Sequence, residues 1–123
     1  MDILEIRLVD HLTRERLDAA LVPLSQPLKR SETRAGLLVD CLAMTGYDAD
    51  GRTGLITWNK AHRNHLVGVA IVTSNMVWKM VISAMSLAST QQMRAFTDLE
   101  EARSWLRLLE SRGPRDTKRP PRA

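Results

Sequence analysis

Residues Gly36 to Trp58, GLLVDCLAMTGYDADGRTGLITW, decide the fold. Leu37-Leu38-Val39 is a short continuous apolar run that ends at Asp40. Such a run reads as a strand over 36–41 covered on both faces. Gly46, Asp48, Asp50, Gly51 and Gly54 then mark a loop, and Leu55-Ile56 opens an amphipathic stretch. The helix is expected from near Gly51–Thr53 to about Asn64. A strand feeding a glycine-rich loop and a helix N-terminus is where α/β proteins place anions and switches. The first N–H groups of the helix have no partner within it.

Working outward, residues 3–9 alternate imperfectly and read as a strand. Thr13 can cap a first helix, and Leu17, Leu21, Leu24 and Leu28 form one apolar stripe along it. Pro23 and Pro27 fall inside that stripe, so a kink or break is expected near Val22. RSETR, residues 30–34, is a charged connector. Residues 66–72 are a second continuous apolar run, followed by an apolar helix from Met76 to Leu87 with Ser74 or Asn75 as its cap. Met93 to Phe96 is a short strand. Thr97 to Glu100 reads as a capping box opening a last helix that buries Leu99, Ala102, Leu106 and Leu109. Strands alternate with helices four times, which argues an α/β fold with a small mixed sheet of four to five strands and helices packed on it.

One domain is expected over 1–111, followed by a disordered, basic, Pro-rich tail over 112–123, with Gly113-Pro114 ending the order. The tail explains the charge. Of 18 basic and 14 acidic residues, residues 112–123 hold five and one; 18 less 5 and 14 less 1 leave 13 of each sign in the body. A high pI confined to a tail is poor support for a nucleic-acid face, and none is expected. The single cysteine, Cys41, excludes an intrachain disulfide and suits a small core position in a reducing compartment. The start, MDILE, is charged and does not read as a leader, and no apolar run approaches the ~20 residues of a membrane span. A cytoplasmic protein with no stable membrane insertion is expected.

The turn and the order of elements resemble the STAS domains, the SpoIIAA-like anti-sigma-factor antagonist family. There a strand ending in Asp leads to an Asp-Ser-Ser-Gly turn before a helix. RAFTDLEEARSWL, Arg94 to Leu106, is similar to the usual close of SpoIIAA-like and STAS/Sec14-like sequences: a strand ending in Phe, Thr-x-x-Glu, Glu-Ala, then Trp-Leu. The likeness spans roughly residues 3–110 in element order. It implies a SpoIIAA/STAS-like fold and a non-catalytic, bacterial-type regulatory module that binds a protein partner. The Sec14-like branch implies an alternative, a domain for a small hydrophobic ligand or lipid.

Laid on the family turn, Asp48 matches its Asp and Gly51 its Gly. Ala49 replaces the first Ser, and Asp50 replaces the second, the family phosphoacceptor. The resemblance thus makes Asp50 a permanent negative charge at a helix N-terminus, where the macrodipole favours it by ~0.3–1 kcal/mol. The plainer alternative is a turn rich in Asp and Gly for backbone reasons. With the alignment slipped by three residues, Thr53 becomes the acceptor; it can equally be a simple cap. Asp48-x-Asp50 begins like a calcium loop, but Arg52 takes the next ligand position and no Glu follows at the twelfth. His62 and His65 lack a third ligand and sit among Lys60 and Arg63, which suits a positive helix end better than a metal. No catalytic motif appears, so no enzyme, cofactor or metal is expected.

The helix from Met76 is apolar nearly all round. Val77, Val81, Ala84 and Ala88 form one stripe, Met76, Met80 and Leu87 a second, and Trp78, Ile82 and Met85 a third. A helix on one face of a sheet buries one side, so the excess must meet the N-terminal helix, a partner, a second copy or a ligand. Met76, Trp78, Ile82 and Met85 are the expected contact face, and a homodimer is expected from it.

Overall fold

The computed structural model describes residues 3–118, with side chains through Glu110. Its elements are β1 (Ile3–Leu12), α1 (Arg14–Arg30), β2 (Ala35–Tyr47), α2 (Ala49–His62), β3 (Leu66–Val72), α3 (Met76–Ser89), β4 (Met93–Phe96) and α4 (Leu99–Lys118), with a 3-10 turn over Arg63–His65. The four strands form one sheet in the order β1-β2-β3-β4, and every pairing is parallel. The α/β class and four strands follow the sequence reading; the sheet is parallel rather than mixed. Each return passes through a helix, so each strand re-enters in the same direction. Crossovers of one hand that advance steadily across the sheet put α1, α2 and α3 on one face.

Two cores follow from the alternation of side chains along the strands. Leu37, Val39, Val69 and Ile71 point toward Leu17, Leu21, Leu28, Leu55 and Ile82 of α1–α3. Leu38, Ala70 and Val72 point the other way, toward Ala102 and Leu106 of α4. On that second face Gly36 of β2 and Gly68 of β3 stand side by side in register. A Cβ on Gly68 would lie 2.6 Å from Leu109 Cδ1, and one on Gly36 3.2 Å from Leu106 Cβ. The two glycines therefore let α4 approach the sheet backbone closely. Arg103 ties the same helix to β1, donating from Nε and Nη2 to Glu5 at 2.8 and 3.0 Å.

Three local expectations change. Helix α1 carries Pro23 and Pro27 without a break. Both prolines are exposed, so the carbonyls they strand face water, while Leu17 and Leu21 before them and Leu28 beyond hold the helix down. Strand β2 does not end at Cys41 but runs to Tyr47, and α2 starts at once after Asp48. Against β1 the register of β2 gains one residue between Asp40 and Ala43 and another between Met44 and Gly46. These two bulges break the alternation that marks a strand and made the segment read as a loop. Asp40 Oδ1 accepts the Leu42 amide at 3.0 Å inside the first of them. Finally, α4 stays helical past Gly113 and Pro114 to Lys118, beyond the expected end of order. The rest of the expected tail, 119–123, lies outside the described residues.

The exposed edge of β1 is guarded. Arg16 Nη1 donates to the carbonyls of Val9 and His11 at 3.1 and 3.4 Å, and Asp10 sits at φ 58°. Both features discourage another strand from pairing there.

Candidate functional site

Strand β3 pairs with β2 only as far as Asp40↔Val72, whereas β1 and β2 continue together to Leu12↔Tyr47. The bulged overhang, at the carboxyl end of the sheet, forms a wall beside the starts of α2 and α3. In open parallel sheets this end is where ligands and partners are held. Three features meet there.

The first is the sequence-predicted turn. It has shrunk to Asp48, which occupies the N-cap of α2 without a side-chain cap bond. Its carboxylate instead accepts from His11 Nε2 at 2.6 Å. Asp50 lies in the first helical turn, largely exposed, and accepts from Arg14 Nη1 at 3.2 Å; Arg14 Nε also reaches Asp18 at 3.3 Å. These contacts form an exposed chain of polar and ionic pairs across the starts of α1 and α2. Individual pairs of this kind add little stability, so the chain is better viewed as a shaped charge pattern. Gly51 through Gly54 are inside α2, and Thr53 is an exposed residue of its body rather than a turn residue or cap.

Gly51 is not a backbone necessity. No glycine of the described residues has positive φ, and a Cβ on Gly51 would meet Leu12 at 3.6 Å or more, ordinary contact. Gly51→Ala is therefore expected to stabilise the fold by about 0.5–1 kcal/mol, the helix-propensity gain. Urea denaturation checks this; a loss would show that the site is tighter than described.

The second feature is an apolar cavity of about 60 Å³ between the overhang, α2 and α3. Leu8, Leu12, Cys41, Leu55, Ile71 and Met85 are among its buried walls, with Tyr47 and Trp78 half-buried at its edge. The two rings meet edge to face, centroids 5.7 Å apart. Cys41 is buried as expected, and burial, with the charge of Asp40 adding to it, pushes its thiol up to about 12. The native protein should thus resist thiol reagents at about pH 8 and react only on unfolding, because the thiolate is the attacking species. Rapid labelling of folded protein by Ellman's reagent would contradict the burial.

The third feature is the outer face of α3, and here the expected contact set divides. Ile82 and Met85 are 3% and 7% exposed and belong to the core; Trp78 is half-buried at the cavity edge. Of the four, Met76 alone faces out, at 72%, together with Val77, Met80 at 74% and Leu87 at 84%. The third stripe faces the sheet and the second faces solvent. Periodicity alone could not choose between stripes of equal apolarity; the capping bond from Asn75 Oδ1 to the Trp78 amide fixes where the helix starts, and the sheet contacts fix its rotation.

His62 is turned inward and is not displayed at the helix end. It is buried, its ring stacks on Trp58 with centroids 4.2 Å apart, and Nδ1–H donates to the Trp58 carbonyl at 2.8 Å. No group of three or more residues suited to hold a metal occurs among the described residues, and no helix among them is long and apolar enough to cross a membrane. Missed from sequence were His11 and Arg14, the partners of Asp48 and Asp50. Neither lies near them along the chain, and only the pairing of β1 with β2 brings them together. Met80 and Leu87 were visible as a stripe but not as the outward one.

Comparison with known proteins follows this geometry. A family model described as SpoIIAA-like matches residues 3–107. No curated protein matches. Among solved structures, an uncharacterised protein of the DUF3478 family from Shewanella loihica PV-4, with a SpoIIAA-like fold, superimposes with a TM-score of 0.67 at 19% identity, covering 83% of this chain and 82% of that one. At that identity the likeness concerns the fold.

Proposed function

The chain belongs to the SpoIIAA-like family, and from that premise we propose that it is a non-catalytic regulatory module that binds a protein partner. The partner would sit across the outer face of α3 and the adjoining start of α2. One observation carries this reading: Met76, Val77, Met80 and Leu87 form an exposed apolar face beside the charged pattern of Asp48 and Asp50. A monomer rarely leaves such a patch uncovered, and Met provides an adaptable contact surface. Asp50 takes the place of the family phosphoacceptor and supplies a fixed negative charge where that family switches one on. A carboxylate is not added and removed as a phosphate is and carries less charge, so the charge at this position is constant rather than switched.

The test is affinity capture from the native cell with wild type, Met80→Glu, Asp50→Asn and, as a control at an exposed apolar site on α1, Val22→Glu. The reading expects one partner to be retained by wild type and Val22→Glu, lost by Met80→Glu and weakened by Asp50→Asn. A second copy of the chain is a recognised outcome, visible as a dimer by light scattering that Met80→Glu dissociates. Equal capture by all four proteins would refute the assigned surface.

A further inference from the structure

We infer that the cavity beneath Tyr47 and Trp78 is a binding site for a small, uncharged, apolar molecule, independent of the protein-partner surface. Its walls are mostly aliphatic carbon, methionine and aromatic edges; the Thr73 hydroxyl on the lining already accepts from the Asn75 amide at 3.2 Å, and Cys41 stays a neutral thiol at physiological pH. Such a wall offers little to a charge or to a hydrogen-bonding group, and burying either there without a partner is costly. Among the described residues of its lining, the one full charge is Arg52, an exposed residue at the mouth.

The void is not a general looseness of packing. Leu37, Val39 and Val69 of the same core are fully buried. Interiors normally close to few voids larger than water. Nor does the backbone force the space, since Gly51 on its wall would accept a side chain in ordinary contact. The void lies at the carboxyl end of the parallel strands, under an overhang of β1 and β2 that carries two bulges and runs on past the end of β3. Bulges and ligand sites share that position in other sheets.

Size sets the guest. About 60 Å³ is less than half of the roughly 150 Å³ known to take benzene or xenon in an apolar cavity. The guest is therefore smaller than a benzene ring unless the wall gives way. Met44 and Met85 can yield, because an unbranched thioether repacks easily, and the half-buried Trp78 ring is the movable part of the mouth. An acyl lipid is too large for the closed form.

The experiment uses full-length protein labelled with 13C at the methionine methyls. Met44 and Met85 line the cavity, while Met76 and Met80 report the outer surface. The probes are xenon under pressure, cyclopropane, benzene and the hexanoate anion. Saturable shifts of the Met44 and Met85 methyls are expected with xenon and cyclopropane, weaker with benzene and absent with hexanoate. Met76 and Met80 should respond only weakly and linearly. Cys41→Leu and Gly51→Val, which fill the void from the strand and from the helix, should each cut xenon affinity at least tenfold in a folded protein. Uniform or absent shifts, or xenon binding unchanged in both filled variants, would overturn the inference. So would saturable hexanoate binding, which would mark an amphiphile with its head at Arg52. None of these outcomes depends on whether a protein partner is captured.

Discussion

Truncating Leu106 to alanine is expected to lower stability by roughly 2–5 kcal/mol, the range for a large cavity in a core. Leu106 is fully buried and packs with Leu38, Ala70, Val72 and Ala102 on the face that α4 covers. Little else can collapse into the gap. Ala70 and Ala102 are small, and the neighbouring strand positions Gly36 and Gly68 have no side chain. The converse change, Gly68→Ala, would place a Cβ 2.6 Å from Leu109 Cδ1 and 3.3 Å from the Trp105 ring. Leu109 must then shift, at a cost of about 1–3 kcal/mol. Against a total stability of roughly 5–15 kcal/mol, Leu106→Ala should lower Tm by ~10 °C or more. A drop under ~1 kcal/mol in urea denaturation would mean that α4 does not dock as described.

The second large effect is on association. Met80→Glu combined with Leu87→Glu should weaken partner binding at least ~100-fold while leaving the isolated fold unchanged. Each apolar side chain buried at an interface contributes about 1.5–3 kcal/mol, and every 1.4 kcal/mol is tenfold in Kd. Placing a carboxylate in a desolvated contact adds a further penalty. Both residues are at least 74% exposed, so the fold itself has little to lose. Calorimetry with the captured partner measures the first part and circular dichroism the second. An affinity within threefold of wild type would remove α3 from the interface.

These two surfaces were unequally legible in the sequence. Strand β3 lies where its apolar run puts it, at 66–72, because a strand buried along its whole length is short, apolar and sharply bounded; the edge strand β4 lies at 93–96, as read. The inward residues of α4, Ala102, Leu106 and Leu109, were equally clear from their helical spacing, with Leu99 of the same stripe only partly buried. The second half of β2 was hidden by its two bulges, which place Asp40, Thr45 and Gly46 where a regular strand would alternate. The face of α3 was hidden by an excess of signal: three apolar stripes, with only the sheet to select one. Pro23 and Pro27 suggested a break that a well-anchored helix does not need. At the site, Asp48 and Asp50 were legible as acids at a helix start, but their pairing with His11 and Arg14 spans 37 and 36 residues. Contacts of that range depend on the register of β1 against β2, which no local pattern encodes.

The most direct test of the central claim, a partner held on the outer face of α3 and the start of α2, is hydrogen–deuterium exchange on the captured complex. Free and bound protein would be compared peptide by peptide. The account predicts slowed exchange over residues 76–88 and 48–54 on binding, with α1 and the Arg16-guarded edge of β1 unchanged. Protection confined to α1, α4 or the β1 edge, with 76–88 exchanging as in the free protein, would contradict it.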